Sequence, residues 1–239
     1  MAELNTLVVR KPCFGLPTGC TQSLSAYIYL KFAQIPFQLD FHLNNPHSNQ
    51  IPYFEVGDSV AYNNEKEGII ECLKKDVGVV DLDSGVSSLP EWISTKAILT
   101  TWLADALAYE LWLGCEGSSA YSIYYSDLPW PLGKILSWKK AIWVKLKHGI
   151  TNDNAEVKKE EIYERAKSAY EALSSCLGEQ NYLFENRPSS LDAIFLAHGL
   201  VVLHALPLVA VVVFLTLMTS FDDAEVELDD DDGSYDYDE

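Results

Sequence analysis

Four residues near the N-terminus have thiol or hydroxyl side chains and lie close together in sequence: Cys13, Thr18, Cys20 and Ser23. Side chains of this kind could stabilise the sulfur of a bound thiol compound in its thiolate form. Cys20 directly precedes a stretch with a helical pattern, and the positive end of a helix dipole lowers the pKa of a thiol. Cys20 is therefore the best placed of the four. No CPxC motif accompanies it, however, and many proteins have a cysteine near the start of a helix by chance. The pattern favours an isolated thiol over a reactive one.

The remaining cysteines and the histidines give no comparable signal. The five cysteines are scattered without a CxxC pair, and the histidine spacing is not typical of metal ligands or acid–base pairs; the histidines are His42, His47, His148, His198 and His204. No GxSxG, HExxH or phosphate-binding glycine loop is present. The sequence therefore predicts reduced thiols, no catalytic centre, no metal site and no cofactor.

The charge is concentrated at one end of the chain. The net charge is −18, and residues 222–239 contain eleven Asp or Glu and no Lys or Arg. This tail has too few apolar residues to fold and is predicted to be disordered, either as a solvated segment or as a site that captures basic peptides. The body shows no basic patch, which argues against a nucleic-acid partner. The N-terminus shows neither a signal peptide nor an organelle-import presequence.

The elements that must position Cys20 follow the order β-α-β-β-β-α over residues 1–78. Strands are predicted at 6–10, 37–43, 53–56 and 59–62, with a Gly57-Asp58 turn between the last two. Thr21 is predicted to cap a helix over 21–34, and Asn64 with Glu67 to cap the helix that contains GIIECLKK. This order is typical of a small thioredoxin-like domain.

After a linker at 79–91, residues 92–206 have only helical patterns. Ser94 is predicted to cap a mostly apolar helix that ends at Gly114. A basic helix follows at 134–147, then an amphipathic helix at 155–177 whose apolar face includes Val157. Ser189 and Asp192 form the pattern of a capping box at the start of a last helix.

The six tryptophans fall within about 50 residues of this helical region. Core packing is the favoured interpretation. The alternative is an exposed aromatic surface for a protein partner, and the stretch YYSDLPWPLGKILSW supplies its candidate residues, which are Tyr124, Tyr125, Trp130 and Trp138.

Several separated blocks together resemble the metaxin family, most nearly its plant form: VVRKP, LPTGC, AYIYLKFAQIPFQL, IPYF, LPEWISTKAILTTWL, YYSDLPW and NYLFENRPSSLDAIFLAH. The resemblance covers about residues 5–206. It implies a glutathione-transferase-like fold, with an α/β thioredoxin-like domain, an all-α domain and a cis peptide bond before Pro52. It also implies a function, because metaxins are associated with the cytosolic face of the mitochondrial outer membrane. There they are implicated in protein import and in the assembly of β-barrel proteins.

Glutathione transferases of this fold hold the glutathione sulfur near the first strand–helix junction and the γ-glutamyl group with a Glu-Ser pair after the fourth strand. Here Asn63-Asn64 stands where that pair is expected, and Asn64 is predicted to cap a helix. The resemblance therefore predicts a protein that is not an enzyme. A glutathione-dependent transferase that uses Cys20 is the alternative.

The sequence departs from the family after Leu206. A complete metaxin continues with further helices, a basic stretch and a C-terminal hydrophobic segment, whereas here Leu206 runs directly into PLVAVVVFL, with no Lys or Arg after Arg187. We expect an internal deletion at about Leu206/Pro207 and an incomplete helical domain. A poorly folded variant without function is a further alternative, because the deletion would uncover apolar helix faces.

Residues 207–221 decide between an anchor and a core helix. From Ala193 to Phe221 the chain has no formal charge, and a membrane span needs about 17–25 apolar residues. The run VAVVVFLTLM has no polar face, although Pro207 limits the straight span to about 22 Å. The sequence predicts a transmembrane anchor at 207–221 followed by the acidic tail. The expected partners are the membrane, other subunits of an outer-membrane import and assembly complex, and mitochondrial precursor proteins.

Overall fold

The computed structural model describes residues 5–42, 50–63, 68–114, 117–184 and 186–206. Met1–Leu206 forms one compact unit. The predicted caps Asn64 and Glu67, the predicted anchor at 207–221 and the predicted tail at 222–239 lie outside the described residues. Among the helices that are described, none is both long enough and apolar enough to cross a bilayer.

The N-terminal part is a four-stranded sheet in the order β2-β1-β3-β4. Strand β1 pairs in parallel with β2 and antiparallel with β3, which pairs antiparallel with β4. A parallel pair needs a crossover connection, and α1 provides it. The predicted β-α-β-β-β-α order of a thioredoxin-like domain is confirmed. The elements are β1 Thr6–Val9, α1 Thr21–Phe32, β2 Gln38–Phe41, β3 Tyr53–Val56, β4 Ser59–Tyr62 and α2 Ile69–Asp76.

The rest of the described chain is helical, as predicted. The first long helix is not uniform, because two π-helical segments interrupt it. In order, the elements are α3 Pro90–Ile98, a π segment Leu99–Leu103, α4 Ala104–Tyr109, a π segment Glu110–Gly114, α5 Ser118–Tyr124, α6 Leu132–Lys147, α7 Ala155–Leu177 and α8 Ser190–Ala205.

Two predicted helix caps are wrong. The N-cap of α1 is Cys20, so that Thr21 is already the first helical residue. Helix α3 begins at Pro90 with Leu89 as N-cap, and the Ser94 hydroxyl inside the helix donates to the Glu91 carbonyl oxygen. Proline is favoured at the first helical position, because its missing N–H is not needed there and its φ angle is already helical. The predicted serine cap is therefore five residues late.

Helix α7 buries the predicted face except at its first turn. Ile162, Ala166, Ala169 and Leu173 are buried, whereas Val157 is 66% exposed. The prediction for Val157 is wrong, because the part of α7 that reaches the core begins near Ile162.

Two groups of buried side chains make up the core. One joins the sheet, α1 and α2 to α5 and α8; the other joins α3, the π segment that follows it, α7 and the start of α8. Helix α8 belongs to both groups and packs along α1. The division into 1–78, 79–91 and 92–206 stays a prediction, since the two parts share one core.

The linker is fixed in place by a buried carboxylate. Asp83 is fully buried and accepts hydrogen bonds from Lys74 Nζ (2.6 Å), the Ser190 backbone N–H (2.7 Å) and the Ser190 hydroxyl (2.6 Å). Burial lowers the pKa of Lys74, but the hydrogen bond and charge of Asp83 outweigh it and raise the pKa above its ordinary value. Asp83 thus ties α2 and the linker to the N-terminus of α8.

The start of α8 is also held by the Ser189–Asp192 pair. The Asp192 carboxylate accepts from the Ser189 backbone N–H at 2.8 Å, and the Asp192 N–H donates to the Ser189 hydroxyl at 3.4 Å. The second Asp192 oxygen accepts from the Leu183 N–H at 2.8 Å. These reciprocal bonds are those of a capping box, and they fix the loop before α8 to its first turn.

Candidate functional site

Cys20 lies where the loop after β1 meets α1, and its surroundings come from both parts of the fold. The Tyr124 hydroxyl, at the end of α5, donates towards the Cys20 sulfur across 3.6 Å. The Arg10 guanidinium carbon lies 4.7 Å from the centre of the Tyr124 ring, which also stacks on Trp112 with ring centres 5.5 Å apart. The backbone N–H of Cys20 points to the Thr18 hydroxyl at 3.5 Å.

These neighbours change the acidity of the thiol. Burial alone would raise the pKa of Cys20, but the positive charge of Arg10 and hydrogen bonds from the Ser23 backbone and the Tyr124 hydroxyl together lower the pKa below its ordinary value. Burial and the negative charge of Cys20 raise the pKa of Tyr124. The tyrosine therefore keeps its proton and donates a hydrogen bond to the sulfur.

The cluster is chemically suited to a thiolate, but it is closed. Cys20 is only 2% exposed, Thr18 1% and Ser23 0%. A substrate would have to displace Tyr124 and open the boundary between the two parts of the fold to reach the sulfur. Cys13, the fourth candidate, is half-buried, and burial raises its pKa despite the nearby Lys11. Cys20, the candidate whose pKa is lowered, is therefore inaccessible.

The loop around Pro52 is held by protein groups. The Ile51–Pro52 peptide bond is cis. The Asn63 side-chain amide donates to the Gln22 side-chain oxygen at 3.1 Å and to the Ile51 carbonyl oxygen at 3.4 Å. Asn63 thus joins the cis-proline loop to α1, at the position where the resemblance implies a γ-glutamyl site.

The four residues of the predicted aromatic partner surface separate into two pairs. Trp130 and Trp138 are 83% and 68% exposed. Tyr125 is buried and Tyr124 faces Cys20, so these two tyrosines pack inside the protein. The structure therefore does not bring the four side chains together on one surface.

The exposed pair lies on and just before α6. Gly133 lets this helix approach the end of α5 closely, because a Cβ atom there would lie 2.7 Å from the Tyr125 carbonyl oxygen. Val144 and Gly133 are buried on the inner side of α6. The other side exposes large apolar residues, namely Leu132, Ile135, Trp138, Trp143 and Leu146.

Sequence reasoning missed three features of these sites: the role of Arg10, the buried Asp83 and the exposed apolar side of α6. For α6 a signal was present, because its apolar residues alternate with five lysines and no acid. For Arg10 and Asp83 there was no local signal, since their partners Tyr124 and Ser190 are more than 100 residues away.

The comparisons with known proteins agree with this architecture. A model described as "Glutathione S-transferase N-terminal domain" matches residues 21–117, and one described as "Glutathione S-transferase, C-terminal domain" matches residues 166–218. A glutathione S-transferase from the Antarctic clam Laternula elliptica aligns over 84% of this chain and 78% of its own, with 10% identity and a TM-score of 0.42. The sheet, the helical part and the two domain matches define a protein of the glutathione-transferase-like class.

Within that class the relatives are more specific. The chain is 55% identical over 206 residues to "Mitochondrial outer membrane import complex protein METAXIN" of Arabidopsis thaliana, covering 86% of this chain. It is 23% identical over 189 residues to human Metaxin-2, covering 74% of this chain and 68% of the relative. The chain belongs to the metaxin family. It spans 65% of the length of the Arabidopsis relative.

Proposed function

We propose that this chain is a non-enzymatic, tail-anchored subunit of the machinery that imports proteins at the mitochondrial outer membrane and sorts and assembles β-barrel proteins there. The observation that carries the proposal is the 55% identity over 206 residues to a plant protein named for the outer-membrane import complex. The folded body faces the cytosol, and its partners are other subunits of the complex and mitochondrial precursor proteins.

The mechanism is docking. The place where a transferase of this fold would hold a sulfur is filled by Tyr124 and Arg10, and Cys20 is 2% exposed. These contacts use the candidate site to join the two parts of the fold. The body is therefore suited to present a fixed outer surface to neighbouring subunits.

The anchor is residues 207–221, with residues 222–239 emerging beyond it. A competing observation concerns the same segment: the C-terminal glutathione S-transferase model matches through residue 218. That match favours the alternative in which residues 207–218 pack within the helical part. Neither the anchor nor the alternative changes the description of the residues up to Leu206.

The test compares an N-terminally tagged full chain with a chain that lacks residues 207–239, both expressed in cells. Intact mitochondria are treated with protease and then extracted at alkaline pH. We expect the full chain to resist extraction, its tag to be removed by protease, and the shortened chain to be soluble. If both forms distribute alike, the anchor is wrong; if the tag is protected, the orientation is wrong.

The enzymatic alternative has one observation in its favour, the lowered pKa of Cys20. Its test is retention on immobilised glutathione, with a Cys20→Ala variant as comparison, and labelling of the native chain with iodoacetamide. We expect no retention and slower labelling of Cys20 than of half-buried Cys13, because burial outweighs acidity. Specific elution by glutathione from wild type but not from Cys20→Ala would establish the enzymatic alternative instead.

A further inference from the structure

Helix α6 exposes an apolar strip, here called the α6 face: Leu132, Ile135, Trp138, Trp143 and Leu146, between 44% and 73% exposed. At 100° per residue these side chains fall within an arc of about 140° on one side of the helix. Trp130, 83% exposed, directly precedes it. An apolar strip of this kind on a folded body marks a contact surface.

The α6 face is surrounded by positive charge. Helix α6 contains five lysines and no Asp or Glu, in a chain whose net charge is −18. On the helical wheel Lys134 and Lys145 border the strip on one side, Lys140 and Lys147 border it on the other, and Lys139 lies within it. Lysine stems can lie along apolar surface while their ammonium groups reach outward.

Three of these lysines have close neighbours, and one of them is Lys134, whose Nζ lies 4.2 Å from the centre of the Tyr121 ring of α5. Lys147 Nζ contacts the Asp105 carboxylate at 2.8 Å, and Lys140 Nζ lies 4.2 Å from the centre of the Trp143 ring. The Asp105 carboxylate is thus already paired at one end of α6. Lys139 and Lys145 are exposed, and these two are the lysines whose charge is best placed to meet an outside surface.

This composition favours lipid over protein as the occupant. The centres of protein–protein interfaces are depleted in lysine. Helices that lie in the plane of a membrane interface combine a basic polar side with Trp and Leu on the apolar side, and anionic headgroups attract their lysines. The exposed leucines of α8, Leu196 and Leu203, have no such border, since α8 has no Lys or Arg.

We infer that α6 is a membrane-contacting helix whose α6 face lies among the headgroups of a bilayer that contains anionic phospholipid. The helix has 16 residues and would extend about 24 Å along the surface. The candidate aromatic surface read from the sequence is thereby reassigned, for Trp130 and Trp138, from a protein partner to lipid.

The end of the described chain lies close to the element that contacts α6. The Ser119 hydroxyl, in α5, donates to the Ala205 carbonyl oxygen at the end of α8, across 2.5 Å. Leu206 packs against the same core group as Tyr121 and Leu136. The chain therefore leaves the body beside α5, the element that contacts α6.

The experiment uses the full chain with vesicles of phosphatidylcholine, with or without phosphatidylinositol, in which some acyl chains carry bromine. Bromine quenches tryptophan fluorescence only at contact. All proteins compared carry Trp102→Phe, because Trp102 is 39% exposed and could itself reach lipid. We expect quenching with anionic vesicles and little with pure phosphatidylcholine. We expect its loss when Trp130→Phe/Trp138→Phe/Trp143→Phe is added, because the remaining Trp92 and Trp112 are buried.

Charge substitutions give the matched comparison. Lys139→Gln/Lys145→Gln is expected to shift the equilibrium towards released α6 by about fivefold for each lysine removed. The quenched fraction of the tryptophan fluorescence measures this shift. Lys158→Gln/Lys159→Gln on α7 removes the same charge elsewhere and is expected to change it less than twofold. All four positions are exposed or half-exposed, so circular dichroism should confirm that both variants fold.

Alkaline extraction of the same vesicles separates this inference from the proposed anchor. Resistance to extraction without anionic-lipid quenching overturns the α6 inference and leaves the anchor. Quenching in a chain that is washed off at alkaline pH leaves the α6 inference and overturns the anchor. If the α6 tryptophans are already shielded from iodide in a lipid-free dimer, a second copy is the occupant and the α6 inference is wrong.

Discussion

Replacing Asp83 with alanine should be among the most damaging single changes in the described core. Asp83 is fully buried and bonds to Lys74, whose side chain is 9% exposed, and to both the backbone and the hydroxyl of Ser190. Asp83→Ala removes all three interactions at once. It leaves the Lys74 ammonium group with only the longer contacts to Glu71 (3.4 Å) and Asp81 (3.3 Å), and it leaves a backbone N–H of α8 without its acceptor.

The size of the effect follows from these contacts. Removing one member of a buried ion pair costs about 3–5 kcal/mol, and the lower end applies here because Lys74 keeps its contacts to Glu71 and Asp81. A buried N–H without its acceptor costs about 1–3 kcal/mol more, though such terms are not additive. We expect a loss of about 4 kcal/mol in the free energy of unfolding, a large part of the roughly 5–15 kcal/mol that holds a typical domain together.

Urea unfolding of the full chain, followed by tryptophan fluorescence, measures this loss. Asp81→Ala is the control, because Asp81 is 47% exposed and contacts the same Lys74 at 3.3 Å. A surface contact of that kind is worth about 1 kcal/mol or less. Lys74→Met/Asp83→Leu should recover much of the stability, since an apolar pair can replace a buried ion pair. If Asp83→Ala costs no more than Asp81→Ala, the argument that Asp83 joins the two parts of the fold is wrong.

Two further predictions concern buried groups. Burial lowers the pKa of His198 to about 4, so the unfolded chain takes up a proton below pH 6.5 that the folded chain does not. The free energy of unfolding should therefore fall by about 3 kcal/mol between pH 6.5 and pH 4, and by less in His198→Leu. Urea unfolding at each pH measures this. An NMR titration midpoint of His198 above 6 would contradict this. Gly133→Ala should cost about 1–3 kcal/mol, because its Cβ would meet the Tyr125 carbonyl oxygen at 2.7 Å. Gly199→Ala in α8 meets nothing within 4 Å and should stabilise by about 0.5–1 kcal/mol; equal effects in thermal melts would refute the comparison.

The parts of the fold that sequence predicted well depend on local patterns. The β-α-β-β-β-α order follows from alternation and turn residues, and the limits of α7 follow from its 3.6-residue period and Gly178. The bonds between Ser189 and Asp192 are also local, since they span three residues. Each of these signals lies within one element and does not require knowledge of its neighbours.

The failures come from non-local packing. Tyr124 and Trp130 lie six residues apart in one aromatic stretch, yet one contacts Cys20 and the other is 83% exposed. Composition cannot distinguish them, because the difference is set by the fold: Tyr124, at the end of α5, meets Cys20 at the start of α1, whereas Trp130 lies between α5 and α6. Asp83 lies in a stretch of turn composition, and nothing near it in sequence indicates that Ser190 will cover it.

Cys20 illustrates how a correct chemical inference can lead to a different role. The helix start and its neighbours do lower the pKa of the thiol, as its position suggested. However, the main source of the lowered pKa is Arg10, and both Arg10 and Tyr124 close the space around the sulfur. A thiolate in this cluster would strengthen the bond from the Tyr124 hydroxyl, since hydrogen bonds to charged acceptors are roughly twice as strong as neutral ones. The same electrostatics that would activate a nucleophile at an open site here stabilise the contact of Tyr124, at the end of α5, with Cys20 and Arg10.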